Sequence, residues 1–157
     1  MARNIAAVLV AIATTWLAWP VAAEDLSGTW NVVCKPGTLN TCKTKGETSA
    51  YQWLVAAEAN GSIAISVLGK TAFPTLKGTY NGKKLVVQGL AKDAEKIVEC
   101  LTKEALVFAE SHFVLTKAKK GGFKGKRYYE GLRKSAASGT TVVVPCVTDF
   151  SCTATRQ

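Results

Sequence analysis

The stretch YQWLVAAEANGSIAISVL, residues 51–68, predicts two β-strands joined by a tight turn. Asn60-Gly61 lies between them, and this dipeptide tolerates the positive φ angles of a tight hairpin turn. The residues on either side are rich in Val, Ile, Tyr and Trp, which favour strands. A second hairpin is predicted around Asn81-Gly82, with strands at 76–80 and 85–87.

The same rhythm of short strands and glycine turns extends over most of the chain. Residues 26–34 alternate between two faces, as a half-buried strand requires. Residues 92–108 fit helical spacing as well as two short strands, and the β-branched and aromatic residues on either side of 102–104 favour strands. The remaining predicted strands are 51–58, 62–68, 97–101, 106–108, 112–118, 123–130 and 141–148.

This pattern predicts an all-β fold of eight to ten strands. A closed barrel and a sandwich both fit such a count. We favour an antiparallel up-and-down β-barrel, because successive tight turns pair neighbouring strands in order and closure removes exposed sheet edges. Residues 36–49 have little apolar content and predict a long loop at one mouth, and residues 133–139 predict a small-residue connector.

The first 23 residues have the three parts of an export signal. Arg3 is followed by an apolar run from Ile5 to Leu17 and by small residues ending at Ala23. The run is shorter than the ~20 residues that span a bilayer, and small residues suit signal peptidase. We expect a signal peptide at 1–23, although a retained membrane anchor is the alternative. The rest, 24–157, would be one exported domain, periplasmic or secreted, without a transmembrane anchor.

All five cysteines lie in the predicted mature part, where an oxidising compartment would preserve disulfides. Short loops close most readily, so the simplest pairs are Cys34 with Cys42 and Cys146 with Cys152, the second in a disulfide-prone C-terminal tail. The sequence does not fix the connectivity. Cys100 would be left over, as a buried inert thiol, a link between chains or a reactive group. With one histidine and no Cys-x-x-Cys motif, we expect neither a metal nor a cofactor.

The predicted mature chain is basic. Removal of residues 1–23 takes away Arg3 and no acidic residue, which leaves 19 basic and 11 acidic residues and a net charge of +8. Eight positive charges and one negative charge lie within 117–134. We expect this cluster to meet an anionic surface, a polyanion or an anionic head group, with Lys124, Lys126 and Tyr128 on one strand face. The alternative is a solvated surface that keeps the barrel soluble.

Leu26-Ser27-Gly28-Thr29-Trp30 resembles the Gly-x-Trp opening of lipocalins and of small bacterial lipocalin-like domains. The stretches 101–108 and 113–116 look like the later hairpin and closing strand of those bacterial domains. The resemblance implies a barrel with Gly28 and Trp30 at a closed end and a cavity at the other. It also implies an arginine over the tryptophan, a contact worth ~1 to 2 kcal/mol. Arg127 is the candidate, pointing inward beside Phe123 and Tyr129, with Arg133 second; a solvated arginine is the alternative.

A barrel open at one end would present Trp53, Tyr80 and Phe113 to an apolar pocket. We therefore expect an exported lipocalin-like protein that binds a small hydrophobic or amphipathic, even anionic, molecule. The alternative is an inhibitor or adhesion barrel that acts through the 36–49 loop or the basic 117–134 surface. An enzyme is not expected, because the adjacent Ser111 and His112 point to opposite faces of a strand. Specific nucleic-acid binding is not expected either, because the chain offers few aromatic side chains on which bases could stack.

Overall fold

The structure is a computed structural model that describes residues 25–92, 94, 104–137 and 139–157. Within these residues, eight strands form a closed antiparallel barrel in which each strand pairs with the next and the last pairs with the first. The predicted all-β, up-and-down barrel is confirmed. The same part of the chain contains no helix that is long and apolar enough to span a membrane. The strands are β1 (Gly28–Asn40), β2 (Ser49–Ala57), β3 (Ser62–Leu68), β4 (Thr75–Tyr80), β5 (Lys84–Leu90), β6 (Leu106–Lys117), β7 (Phe123–Ala137) and β8 (Thr140–Arg156).

Both Asn-Gly hairpins form as predicted. β2 pairs with β3 across Asn60-Gly61, and β4 pairs with β5 across Asn81-Gly82. Gly61 has a φ of 84°, and a Cβ at this position would lie 2.7 Å from the carbonyl oxygen of Tyr80. Glycine is therefore required here by both the backbone angle and the space available.

Several strands are longer than predicted, because β1 and β8 gain partners from barrel closure and β7 and β8 extend the hairpin that joins them. β1 continues to Asn40, so the loop predicted at 36–49 begins later, and its extension pairs with β8 through a β-bulge. β7 runs through the connector predicted at 133–139 as far as Ala137, paired with β8. β8 includes the whole predicted C-terminal tail and closes the barrel on β1.

The predicted strands 106–108 and 112–118 are a single strand, β6. Its pairing with β7 shifts register between Phe108 and Glu110, so one extra residue interrupts the alternation there. Three predictions concern residues outside the described part of the chain: the signal peptide, the strand 97–101 and the role of Cys100.

Two disulfides join β1 and the loop after it to β8, and the predicted local pairs are wrong. Cys34 is bonded to Cys152, and Cys42 is bonded to Cys146. Cys34 lies directly opposite Cys152 in the β1–β8 ladder, which explains why the pair forms across 118 residues of chain. Both bonds fasten the seam where the barrel closes, and they are compatible with an oxidising compartment.

The interior has two ends of different character. At the closed end, where the chain enters β1, Leu26, Trp30 and Phe123 are buried, and the Trp30 indole N–H donates to the Leu26 carbonyl at 2.8 Å. At the mouth, where the β3–β4 and β5–β6 connections lie, the interior includes the buried polar residues Ser111 and Arg127. The polar side chains inside the barrel therefore lie toward one end.

Candidate functional site

The six residues predicted to bind a ligand lie on opposite faces of the barrel wall. Successive side chains along a strand alternate between faces, so the inner and outer residues of β7 cannot meet. The structure therefore does not bring the six together in one site. Trp53, Tyr80 and Phe113 are buried in the interior, whereas Lys124, Lys126 and Tyr128 share the outer face of β7.

The interior is filled around Trp53, Tyr80 and Phe113. The rings of Trp53 and Phe113 meet edge to face with centroids 4.8 Å apart, and Tyr80 meets Phe123 in the same way at 5.6 Å. The cavity between Trp30, Trp53 and Phe123 measures about 10 Å³. A small-molecule site needs roughly 300 Å³ or more. These side chains form core in this structure rather than an open pocket.

On the outer face, Lys126 and Tyr128 already have partners. Lys126 Nζ lies 2.7 Å from Asp149 Oδ2, and the Leu39 amide donates to Asp149 Oδ1 at 2.9 Å. The Lys126 hydrogen bond, aided by that of Leu39, holds the pKa of the Asp149 carboxyl below its ordinary value against the opposing effect of burial. Tyr128 stacks on His112 with ring centroids 4.8 Å apart.

Arg127 points into the barrel, as its strand face predicts, and is only 3% exposed. Its guanidinium carbon lies 3.9 Å from the Tyr129 ring centroid, 4.7 Å from that of Phe113 and 4.8 Å from that of Tyr51. The predicted contact with Trp30 is not made. Trp30 packs on Phe123, with centroids 5.5 Å apart, and Phe123 precedes Arg127 by about 13 Å along β7. The second candidate, Arg133, lies still further toward the mouth.

Arg156, at the end of β8, is an arginine of the closed end that was not predicted from the sequence. It lies opposite Trp30 in the β1–β8 ladder and donates to the carbonyls of Asp25, at 3.0 Å, and Ser27, at 2.5 Å. Gly28 begins β1 beside its guanidinium. The last strand was predicted to end at residue 148, so the sequence offered no reason to place Arg156 in the wall.

The buried guanidinium of Arg127 is only partly satisfied. Its Nε donates to the hydroxyl of Ser111 at 2.9 Å, and Ser111 is fully buried. Its Nη1 is buried and has no hydrogen-bond partner within the described residues, and no carboxylate in that part of the chain pairs with Arg127. Buried charges in proteins are normally paired, so this arrangement requires an explanation.

Two tyrosine hydroxyls lie beside Arg127. The hydroxyls of Tyr51 and Tyr129 are 3.2 Å apart and share a hydrogen bond. Burial raises the pKa of Tyr129, and the bond to Tyr51 adds to that effect. Burial also acts to raise the pKa of Tyr51, but the Arg127 charge and hydrogen bonds outweigh it, so the pKa of Tyr51 lies below its ordinary value. Tyr51 is thus the phenol that ionises more readily beside the cation.

A cavity of about 400 Å³ opens at the mouth next to this cluster. We call it the mouth cavity; Phe73 and Phe108 line it, and both rings also pack on Tyr129, at 5.3 and 5.0 Å between centroids. One aromatic ring therefore separates the mouth cavity from the Arg127 guanidinium. Its other described lining residues are Thr71, Ala72, Ala91, Lys92, Glu104, Leu106 and Val107.

This arrangement can hold an anion beside an apolar group. A guanidinium and two hydroxyls supply hydrogen-bond donors for an acid group, while Phe73 and Phe108 supply an apolar wall. Strand alternation predicts Arg127 and Tyr129 on the inner face, but Tyr51, Ser111 and Phe73 were not predicted to be parts of the site. Phe73 lies in a connection rather than a strand, so periodicity gives no signal for it.

Comparison with known protein families, curated proteins and solved structures finds no significant match to this chain.

Proposed function

We propose that this barrel is an exported binding protein for a small amphipathic molecule with an acid group. The apolar part of the ligand occupies the mouth cavity, and the acid group pairs with Arg127. The observation that carries this proposal is the buried Arg127 guanidinium, which has an unpaired Nη1 and no carboxylate partner within the described residues. The predicted signal peptide and the two disulfides support export.

The contacts that the chain makes with Arg127 roughly offset the cost of burying its charge, so stability alone gives no reason for an arginine at this position. Burial of a guanidinium costs several kcal/mol in lost hydration. Each cation–π contact returns roughly 0.5 to 2 kcal/mol, and the hydrogen bond to Ser111 adds about 1 to 3 kcal/mol. An apolar side chain of similar size would fill this space without the hydration cost. An anionic ligand gives the charge the partner that the chain itself does not provide.

The tyrosine pair provides the route by which an acid group reaches the guanidinium. Tyr51 and Tyr129 are each only partly buried, and their hydroxyls bond to one another. A carboxylate that approaches Arg127 accepts hydrogen bonds from these hydroxyls in exchange for their mutual bond. This exchange leaves no donor unsatisfied, and the Tyr129 ring, which separates the mouth cavity from the guanidinium, must turn aside to let the acid group reach Arg127.

Calorimetric titration with octanoate and octanol tests the proposal, because the two ligands share a chain and differ in the acid group. We expect octanoate to bind roughly tenfold to a hundredfold more tightly than octanol, the usual contribution of hydrogen bonds to a charged group. Arg127→Met should abolish that difference, and Arg127→Lys should retain part of it. Lys77→Met removes an exposed positive charge on β4 and serves as the control. Equal affinity for acid and alcohol, or no binding of either, would contradict the proposal.

Native mass spectrometry gives an independent test of the same proposal. Protein purified from its own host should carry a co-purified acid of small mass, and Arg127→Met protein prepared identically should not. A neutral co-purified molecule that is present equally in both proteins would argue against Arg127 as the recognition group.

A second candidate, an inhibitor or adhesion barrel, is supported by the ordered loop after β1. The Asn40 side chain donates to the Thr44 carbonyl at 2.8 Å and accepts from its amide at 3.0 Å, while Cys42 is bonded to Cys146. A loop held in this way loses little entropy when it enters a cleft. Inhibition of serine proteases or lysozyme that disappears in Lys43→Ala/Lys45→Ala protein would support this candidate. Absence of inhibition by the unaltered protein would argue against it.

A further inference from the structure

Six exposed lysines gather at the closed end of the barrel, on the turns after β4 and β6 and on the adjoining strand ends. Pairing of β5 with β6 brings two distant parts of the sequence together, since the Lys117 amide donates to the Lys83 carbonyl at 2.9 Å. Lys84 on β5 and Lys124 on β7 both pair with Thr116 of β6, one from each side of that strand. We call this group the lysine end; its members are Lys83, Lys84, Lys117, Lys119, Lys120 and Lys124.

The lysine end has no acidic residue in the segments that build it. Residues 77–92 and 111–129 contain no Asp or Glu, and neither does the adjoining end of β8, residues 151–156. The acids of β6 and β7, Glu110 and Glu130, lie opposite each other nearer the mouth. Two exposed acids, Asp25 and Glu58, lie on neighbouring parts of the same end, so the six lysines still leave an excess of positive charge at the end of the barrel away from the mouth cavity.

Solubility alone does not explain this distribution. A surface that only keeps a protein dispersed mixes charges of both signs, because concentrated like charges repel one another. Lys84 and Lys124 lie two strand spacings apart, about 10 Å. The Debye length is about 8 Å at physiological salt and longer in dilute buffer, so the fields of neighbouring lysines overlap only in part at physiological salt and add more strongly as the salt concentration falls.

The shape of the lysine end favours an extended anionic surface over a single strand of nucleic acid. Three of its lysines lie on two hairpin turns and three on the adjoining strand ends, so the charges surround one end of the barrel. Within the described residues no aromatic side chain is exposed, so a stacking platform for bases is missing from this part of the chain. Lysine acts as a point charge toward phosphate and does not require a fixed bidentate geometry.

We propose that the lysine end docks the barrel onto an anionic phospholipid surface. Lysines close to such a surface each increase the partition coefficient roughly fivefold, so several acting together give measurable binding without membrane insertion. The mouth lies at the other end of the barrel and stays open to solvent when the protein is docked. This proposal does not depend on the small-molecule site, which uses other residues.

Sedimentation with vesicles tests the docking proposal by comparing two triple variants of equal net charge. Lys119→Gln/Lys120→Gln/Lys124→Gln removes half of the lysine end. Lys35→Gln/Lys70→Gln/Lys77→Gln removes three exposed lysines from elsewhere on the barrel. The vesicles are phosphatidylcholine, alone or with about 30 mol% phosphatidylglycerol, chosen to provide a negative surface potential. N-terminal sequencing first confirms that the purified protein lacks the apolar segment 5–17, and the unfolding midpoint verifies that both variants fold.

We expect the unaltered protein to bind only the phosphatidylglycerol vesicles, and less strongly as salt rises from about 50 to about 300 mM. The lysine-end variant should lose about a hundredfold in partition coefficient, and the control variant much less. Equal losses in the two variants would show that net charge alone governs binding and would overturn the proposal. Equal binding to neutral vesicles would also overturn it. Complete displacement by a small molar amount of heparin would assign the lysine end to a soluble polyanion instead.

Discussion

The closed half and the mouth half of the barrel interior are built in opposite ways. The closed half packs Trp30, Trp53 and Phe123 among apolar neighbours and leaves a space of only about 10 Å³. The mouth half buries the Arg127 charge beside two tyrosines, next to a cavity of about 400 Å³. Hydrophobic burial accounts for the first arrangement but not for the second, because an unpaired buried charge destabilises a fold. The difference identifies the mouth half as the part of the interior that stability alone does not explain.

The largest effect is expected in the closed half. Trp53 is 1% exposed and packs edge to face against Phe113, so Trp53→Ala removes a large apolar side chain and leaves a cavity. We expect the free energy of unfolding to fall by about 3 to 5 kcal/mol. Chemical denaturation measures this change, and Leu54→Ala, on the exposed side of the same strand, is the control. A loss below about 1 kcal/mol would mean that the closed half is not the packed core described here.

The same measurement on Arg127→Met should give the opposite result. Methionine fills much of the same volume and needs no hydration, so the free energy of unfolding should stay unchanged or rise by up to about 3 kcal/mol. A large decrease would show that Arg127 stabilises the ligand-free barrel, and the contrast between the two halves would then disappear.

The fold could be predicted from sequence where a clear turn signal joins two neighbouring strands, whereas the β7–β8 hairpin, which lacks an Asn-Gly turn, was predicted too short. The Asn60-Gly61 and Asn81-Gly82 hairpins depend on local turn chemistry and formed as predicted. The disulfides did not follow local rules, because Cys34 meets Cys152 only when β8 closes on β1. The β1 extension to Asn40 depends on the same long-range pairing, which no short window of sequence contains.

The candidate site was predictable only in part, for a related reason. Alternation along β7 placed Phe123, Arg127 and Tyr129 on one inner face, and the structure agrees. Alternation does not reveal which rings from other strands surround the guanidinium. Tyr51 reaches Arg127 from β2, so the cluster becomes visible only in the closed barrel.

A third prediction concerns Tyr51, whose pKa lies below the ordinary tyrosine value of about 10. As pH rises through that lowered pKa, the Tyr51 phenolate forms beside Arg127 and competes with the ligand acid group. Octanoate affinity should therefore begin to fall, as pH rises, below the ordinary tyrosine pKa of about 10 in the unaltered protein. Tyr51→Phe should bind several-fold more weakly at pH 7, because one donor is lost, but with little dependence on pH. Titration calorimetry at several pH values measures both effects. Identical pH profiles for the two proteins would remove Tyr51 from the site.

The smallest effect is expected on the outer wall near the mouth. There, hydrogen bonds to Asp149 would offset part of the free-energy cost of burying polar groups inside the barrel. Asp149 accepts hydrogen bonds from Lys126 and from the Leu39 amide, and its pKa is lowered in the folded protein. A lowered folded pKa stabilises the protein fully above the unfolded value of about 3.9, and the contribution is lost as pH falls through the folded value.

Asp149→Asn should therefore lower the free energy of unfolding by about 1 kcal/mol at pH 7, and the difference from the unaltered protein should shrink below about pH 4. Gly37→Ala gives a second way to disturb the same carboxylate, because a Cβ at Gly37 would collide with it. The two substitutions act on one contact, so their combined effect should be smaller than the sum of the single effects. If the two losses in the free energy of unfolding are fully additive, or if the loss in Asp149→Asn does not depend on pH, the carboxylate does not couple the β1 extension to β7. The hydrogen bonds of Asp149 would then not stabilise the wall around the polar mouth.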